Sequence, residues 1–327
     1  MQKFTSQMNK IAFIQTAFIG DAVLATAAID SLHRKFPSAE IHLLVRKGNE
    51  TLFQSHPYIS KVWSWNKEHK KISSLLSILA AFRSEHFDLI INLQRFASTG
   101  FLTTFSKAKI KIGFKENPWS LFFTHRFPHI IDSNTHEVHR NQSLLSPFTR
   151  EKFSKPILFP SPSDFDSVKK YQHSPYSCIA PASVWFTKQV PEKKWVELIQ
   201  KSDPSSHFIL LGGPSDQNLC QSIIKVCQKN NVIELCGQLS LLQSCALMKN
   251  AEMNYVNDSA PLHLASAVNA PVTVFYCSTV KDFGFYPLSD ESNIIEASPP
   301  PPCKPCGLHG KRNCPLGHFS CGNNLPV

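Results

Sequence analysis

Residues 10–45 read KIAFIQTAFIGDAVLATAAIDSLHRKFPSAEIHLLV. Lys10–Gln15 is an apolar run of strand length. From Asp21 to Phe36, the residues Val23, Leu24, Ala27, Ala28 and Leu32 fall on one side of a helix. Pro37 ends that helix, because proline lacks an amide hydrogen and disfavours helical geometry in the residue before it. Glu40–Val45 returns to a strand. Strand, helix and strand in this order open a parallel α/β sheet. In the turn between the first two, Gly20 suits a tight bend and Asp21 stands where a helix N-cap would lie.

The alternation continues outward. Ile72–Arg83 reads as a helix, Asp88–Leu93 as a strand and Ser98–Ser106 as helix or loop, with a short strand ending near Ile112–Gly113. Phe114–Pro128, rich in aromatic and basic residues, reads as an irregular surface loop. Pro156–Pro175 shifts to Pro, Ser, Lys and Asp and reads as a linker, within which Phe165–Gln172 could form a helix. A second series follows. Strands are expected at Ser177–Pro181, His207–Gly212, Val232–Leu235, Glu252–Val256 and, last, Val272–Tyr276. Helices are expected at Glu192–Lys201, Asp216–Asn230, Leu241–Lys249 and Ala260–Val268. Two Rossmann-like halves joined by a linker predict a glycosyltransferase-B architecture. Ligands in such folds sit at strand C-terminal ends, here in the cleft between the halves.

Composition narrows the function classes. A chain of 327 residues suits two domains, and a 42% hydrophobic fraction excludes a disordered chain. With 34 Lys+Arg against 24 Asp+Glu, the formal charge of +10 favours an anionic partner. The start imitates a secretion signal, since Lys3 and Lys10 precede an apolar run, Ile11 to Ile29. Gln15, Gly20 and Asp21 interrupt that run, so it is neither a signal core nor a membrane span. Six cysteines (178, 220, 227, 236, 245 and 277) lie singly in apolar segments and read as reduced, buried thiols.

Four stretches carry candidate chemistry. The first, Thr16 to Asp21, offers either a helix cap or a carboxylate able to take a proton from a hydroxyl. No GxGxxG fingerprint follows, which argues against a dehydrogenase. The second, Ala182 to Lys188 followed by Pro191–Trp195, could gather Ser183, Thr187 and Lys188 around a phosphate; the alternative is an ordinary solvated lysine. In the third, Gly212 and Gly213 permit close approach of a nucleotide. Asp216 there either accepts ribose hydroxyls or caps a turn. The fourth runs from Asn257 to Ala267. Asp258 would hold sugar hydroxyls, Ser259 would contact phosphate, and Pro261 and Leu262 begin a helix whose N-terminus faces the anion. His263 could reach the ligand or satisfy a hydrogen bond in the core.

In this order, the four stretches resemble glycosyltransferase family 9, the ADP-heptose:lipopolysaccharide heptosyltransferases, particularly the heptosyltransferase II-like sequences. Pro57–Val62, Asp88–Gln94, Thr187-Lys188 with Pro191, and Cys236–Leu241 extend the likeness over nearly the whole chain. The resemblance implies an acceptor-binding domain over 1–155, a linker over 156–175, a nucleotide-sugar-binding domain over 176–296 and a Cys-rich tail over 297–327. It implies inverting transfer of L-glycero-D-manno-heptose from ADP-heptose to the lipopolysaccharide inner core, with heptosyl-Kdo-lipid A the favoured acceptor. Asp21 maps onto the general base, with Thr16 and Gly20 beside it on the acceptor side, and Lys188 onto the phosphate-binding lysine. Ser183 maps onto a phosphate contact, Asp216 onto a ribose contact and Asp258 onto a sugar contact. No catalytic cofactor is implied. The enzyme would be cytoplasmic and peripheral to the inner face of the anionic inner membrane. Three departures bear on sugar specificity: Val190 for a tryptophan, Ala260 for a glycine, and Cys277-Ser278-Thr279 for a glycine-containing turn.

The tail brings Cys303, Cys306, Cys314 and Cys321 into 19 residues with His309 and His318 interleaved. A tetrahedral structural zinc site, free thiols packed in a loop and, less favoured in a reducing compartment, disulfides are the readings, and the spacing is not that of a standard zinc ribbon or finger. Rival functions are a nucleotide-sugar epimerase or transferase of another sugar on the same fold, a non-catalytic nucleotide binder, and a nucleic-acid-binding protein. Lys107–Lys115 holds four lysines but no recognised nucleic-acid motif, so no nucleic-acid partner is expected.

Overall fold

The apolar run Lys10–Gln15 forms β1, in which every residue after Lys10 is buried, as in a strand covered on both faces. A computed structural model of the chain describes residues 8–132, 135–149 and 154–327; Lys3 of the signal-like start lies outside them. Two units divide the fold, one holding the chain to Ile131 with Thr135–Phe159, the other Pro160–Val327 with the short stretch at Asp132.

The first unit continues with α1 (Ile19–Lys35), β2 (Glu40–Arg46), β3 (Lys61–Trp65), α2 (Lys71–Glu85) and β4 (Leu89–Asn92). After these come α3 (Ala97–Phe105), β5 (Ile110–Phe114), β6 (His125–Phe127) and α4 (Glu137–Ser143). Its strands form one parallel sheet in the order β3-β2-β1-β4-β5-β6. Fully buried Ile11, Phe13 and Ile14 centre it, each such side chain contributing roughly 1.5–3 kcal/mol.

The second unit contains α5 (Pro162–Val168), β7 (Tyr176–Ala180), α6 (Glu192–Lys201), β8 (His207–Leu210), α7 (Gln217–Cys227) and β9 (Val232–Glu234). It is completed by α8 (Leu241–Lys249), β10 (Met253–Asn257), α9 (Ala260–Ala267), β11 (Val272–Tyr276), β12 (Ser292–Glu296) and α10 (Ser320–Asn323). The sheet order is β12-β11-β10-β7-β8-β9, all parallel. Counted from each unit's first strand, the two orders are the same, 3-2-1-4-5-6. The order reverses beside the first strand, between β1 and β4 and between β7 and β10. At such a switch point the neighbouring loops diverge and leave a crevice.

Several elements differ from the sequence reading. β3 was not expected, β6 and a short 3-10 turn at Ser120–Phe122 occupy the supposed irregular loop, and β12 follows the supposed last strand. The stretch read as a linker contains α5, whose N-terminus is closed by a capping box between Ser161 and Asp164, and a 3-10 turn at Lys169–Tyr171. α1 begins two residues early, at Ile19, with Phe18 as N-cap. Asp21 is therefore a first-turn residue and not the cap, and Gly20 lies within the helix instead of in a bend. Among the described residues no helix is long and apolar enough to cross a membrane.

The cysteine tail packs into the second unit's core. Phe319, Cys321 and Leu325 join Val190, Trp195 and Phe275 in one buried cluster. Trp195 is fully buried and meets Phe275 edge-on, ring centroids 5.2 Å apart. Val190, one of the three departures noted in the sequence, is buried in the same cluster.

Candidate active site

In the first unit, candidate groups gather where β1 to β4 end. The Thr16 hydroxyl donates to Gln94 Oε1 (2.6 Å), just beyond β4. The Thr16 carbonyl accepts from Lys67 Nζ (2.6 Å), just beyond β3. Asn49 donates to the Ala17 carbonyl (3.4 Å), and the Arg46 guanidinium lies over the Phe18 ring. The segment leading to Asp21 is thus tied to three neighbouring strand ends. Asp21 itself occupies the first turn of α1, where the helix N-terminus favours an ionised carboxylate. Lys67 also lines an open pocket of about 540 Å³, with Arg46, Lys47 and His69 and the acids Glu50 and Glu68. Burial, reinforced by Arg46 and Lys71, pushes the Lys67 ammonium down to about 8. A group so held can lose its charge in mildly alkaline solution. Neither pairing is visible in the sequence, because nothing local links Lys67 or Gln94, 51 and 78 positions away, with Thr16.

In the second unit, the switch point between β7 and β10 carries a tighter cluster. Asn257, completely buried at the end of β10, donates to the carbonyls of Pro181 (2.9 Å) and Ala182 (3.1 Å). Its Oδ1 accepts the Val190 amide (2.9 Å). One side chain thereby fixes both ends of the loop after β7. That loop carries Lys188, whose Nζ pairs with Asp258 Oδ2 at 2.7 Å. Asp258 Oδ2 also accepts the Thr279 hydroxyl at 2.6 Å. The ammonium is 17% exposed and the carboxylate 6%. Lys188 has three N–H donors, so the pairing leaves it able to bind an anion as well.

Thr187, expected to contact phosphate, also ties three segments together. It is buried, its hydroxyl accepts the Lys311 amide (2.7 Å) and the Ser278 hydroxyl (3.0 Å), and its amide donates to the Lys311 carbonyl (3.1 Å). Thr187 is a junction between the loop after β7, the turn after β11 and the tail. Gly310 completes it: a Cβ there would collide with Trp185 and stand 2.9 Å from Lys188 Cγ. Ser183 Oγ accepts a long bond from the Trp185 amide at 3.4 Å.

Asp216 Oδ2 accepts the Gly213 amide at 2.8 Å and so holds the Gly-Gly turn closed. A side chain at Gly212 would meet Asp216 and Cys236 Sγ, which explains glycine there. Pro261 and Leu262 lie in the first turn of α9, and Ser259 is its N-cap residue without making a side-chain cap. Ser259 Oγ and His263 Nδ1 are buried with no hydrogen-bond partner among the described residues. Unsatisfied buried polar atoms cost free energy unless something binds them.

His263 bears on acid stability. Burial holds it down to about 4, as it does His56 in the first unit. The unfolded chain takes up these protons near 6.5, the folded chain not until about 4. Their contribution to stability is therefore complete above about 6.5 and lost as the pH falls towards 4. Each should impose a slope of about 1 kcal/mol per pH unit over that window. Thermal unfolding midpoints from neutral to mildly acidic pH should fall accordingly, and His56→Asn should flatten the fall. An equal fall in the variant would contradict this assignment.

In the tail, Cys303 Sγ lies 4.0 Å from His318 Nε2. Among the described residues no three His, Cys, Asp or Glu side chains converge as a metal-holding group. Cys321 is buried in the apolar core, where burial pushes its thiol up to about 11. Cys306 Sγ donates to the Cys303 carbonyl instead (3.7 Å). Asp164 and Asp166, spaced like a cation-binding pair, are engaged elsewhere, in the cap of α5 and with Lys169.

The sequence profile of glycosyltransferase family 9 (heptosyltransferase) matches residues 75–316. The chain belongs to glycosyltransferase family 9. It is similar to lipopolysaccharide heptosyltransferase 3 of Escherichia coli, 26% identical over 277 residues that cover 80% of this chain and 82% of that protein. The E. coli ADP-heptose lipopolysaccharide heptosyltransferase II structure superposes with a TM-score of 0.76 at 19% identity, covering 88% and 90% of the two chains. The family 9 glycosyltransferase of Veillonella parvula gives 0.79 at 17% identity, covering 88% and 86%. The paired parallel sheets are thus the α/β halves of a glycosyltransferase-B fold, and the family 9 chain is a heptosyltransferase-type glycosyltransferase.

Proposed function

We propose that this family 9 enzyme transfers L-glycero-D-manno-heptose from ADP-heptose to the inner core of lipopolysaccharide, with heptosyl-Kdo-lipid A as acceptor. The observation that carries the reading is the Lys188–Asp258–Thr279 cluster at the β10–α9 junction of the second unit. A largely buried ammonium, a helix N-terminus and the unpartnered Ser259 and His263 atoms suit a diphosphate sugar. The carboxylate of Asp258 suits sugar hydroxyls.

Transfer is a single displacement. The acceptor hydroxyl attacks the anomeric carbon and gives its proton to Asp21 as the bond to ADP breaks. The leaving diphosphate takes the electron pair, and Lys188 with the α9 N-terminus offsets the charge that develops. Attack from the face opposite ADP inverts the anomeric centre. These groups need no metal. Asp216 acts by shaping the nucleotide turn, and Thr187 by holding Lys188 in place. In the first unit, Arg46, Lys47 and Lys67 suit the carboxylates and phosphates of the core acceptor. The family, the anionic acceptor and the basic surplus support a cytoplasmic enzyme working at the inner face of the inner membrane.

The test is transfer from ADP-heptose to Kdo-lipid A and to heptosyl-Kdo-lipid A in detergent, with a chelator present. Transfer to the heptosylated acceptor alone is the expected result. Preference for the unheptosylated acceptor would move the enzyme one step earlier. Transfer to neither, with ADP still bound, would send the search to another sugar.

A further inference from the structure

We infer that the outer face formed by α2, α3 and the Ser120–Phe122 turn is a docking surface for an anionic lipid bilayer. The inference rests on the proposed lipid-linked acceptor and adds which surface meets the membrane. α2 exposes an apolar stripe, Ile72 (75% exposed) and Leu76 (51%), with Ala80 one turn further along. α3 packs beside α2 and ends in Phe105. Phe105 contacts Trp119 at 5.5 Å between centroids, and Trp119 contacts Phe122 at 6.0 Å. Phe122 is 63% exposed and its neighbour Leu121 75%. Large side chains rarely group on a soluble surface without a binding role.

Charge selects the occupant. Between Lys70 and Pro128 stand nine lysines and arginines against three acids. Glu85 is engaged by Lys10 and Lys61 from outside the stretch, Glu116 by the His129 amide, and Asp88 by Lys109, which leaves eight of the nine cations. Arg83 and Lys107 line a shallow pocket of about 430 Å³ with Leu76, Leu79 and Ala80. Two cations above an apolar floor suit a lipid phosphate with its chain beneath. A second copy of this chain would bring like charges face to face, whereas an anionic leaflet complements them. Apolar residues framed by cations are how interfacial elements hold to such a leaflet.

The experiment is co-sedimentation of the full-length protein with vesicles of neutral phosphatidylcholine and with vesicles containing about 30% phosphatidylglycerol. Wild type and the exposed double variant Leu121→Ser/Phe122→Ser are compared. Binding to the anionic vesicles only, weakened at high salt and at least tenfold weaker in the variant, is the expected result. Equal binding by wild type and variant, equal binding to neutral vesicles, or no binding overturns the inference. So does a wild-type dimer that the double substitution dissociates. Heptosyl transfer in detergent, measured on both proteins, reports on the proposed function separately: if it persists while vesicle binding fails, only the docking surface is lost.

Discussion

Replacing Asp21 with asparagine should lower heptosyl transfer by about 10²–10⁴-fold, the usual share of a positioned general base, while leaving ADP affinity unchanged. The substitution is nearly isosteric and removes the proton acceptor from the first turn of α1 without disturbing a cap, since Phe18 holds the N-cap position. The segment before it is held by Lys67, Asn49 and Gln94, so the backbone has little reason to move. The donor-side residues belong to the other unit, and nucleotide binding therefore serves as an internal control. Transfer that survives intact in a folded, ADP-binding variant would leave Asp21 with a structural role only.

Lys188→Met should produce the second large loss. Removing a charge that stabilises the leaving diphosphate costs about 10²–10³-fold in turnover, by comparison with other preorganised electrostatic donors. The same change strips Asp258 of its ion-pair partner in a site where the carboxylate is only 6% exposed. Breaking a buried pair from one side destabilises by about 3–5 kcal/mol, so unfolding should shift as well. The double variant Lys188→Met/Asp258→Asn separates the two effects. It should recover much of the thermal stability, because Thr279 can still bond the amide, but none of the transfer activity. Recovery of both would mean that Lys188 acts on the fold and not on the leaving group.

Much of this architecture is legible in the sequence, and the gaps have physical causes. β1, β2, β4 and β11 were readable because they lie inside their sheets and present largely apolar, buried runs, and the edge strand β9 was read as well. The strands that escaped, β3, β6 and β12, are all sheet edges. Their exposed positions interrupt the apolar run, as in Ser292–Glu296, where the first three residues are solvent-facing. α4 escaped for the opposite reason: it buries Glu137, Arg140, Asn141 and Gln142, so no apolar stripe marks it. In the candidate site, the residue types at the strand ends were visible, but their partners were not. Asp258 meets Lys188 and Thr279 across 70 and 21 positions, and a single sequence carries no signal for such pairings. Thr187 illustrates the result: a hydroxyl next to a lysine reads as a phosphate ligand, and nothing in the sequence shows that it also accepts from Ser278 and Lys311.

The bond between Thr187 and Lys311 also sets a clock. The two residues are 124 positions apart, and a ribosome adding about 5–20 residues each second needs roughly 6–25 s to bridge that interval. By the end of it the turn bearing Lys188 has its ties to Asn257, Asp258 and Ser278 but lacks the one to the tail. The apolar cluster around Trp195 meanwhile still lacks Phe319, Cys321 and Leu325. The last contacts of the second unit's core and of the lysine turn therefore form late in synthesis, and a product stalled or clipped before the tail would leave part of that apolar cluster uncovered.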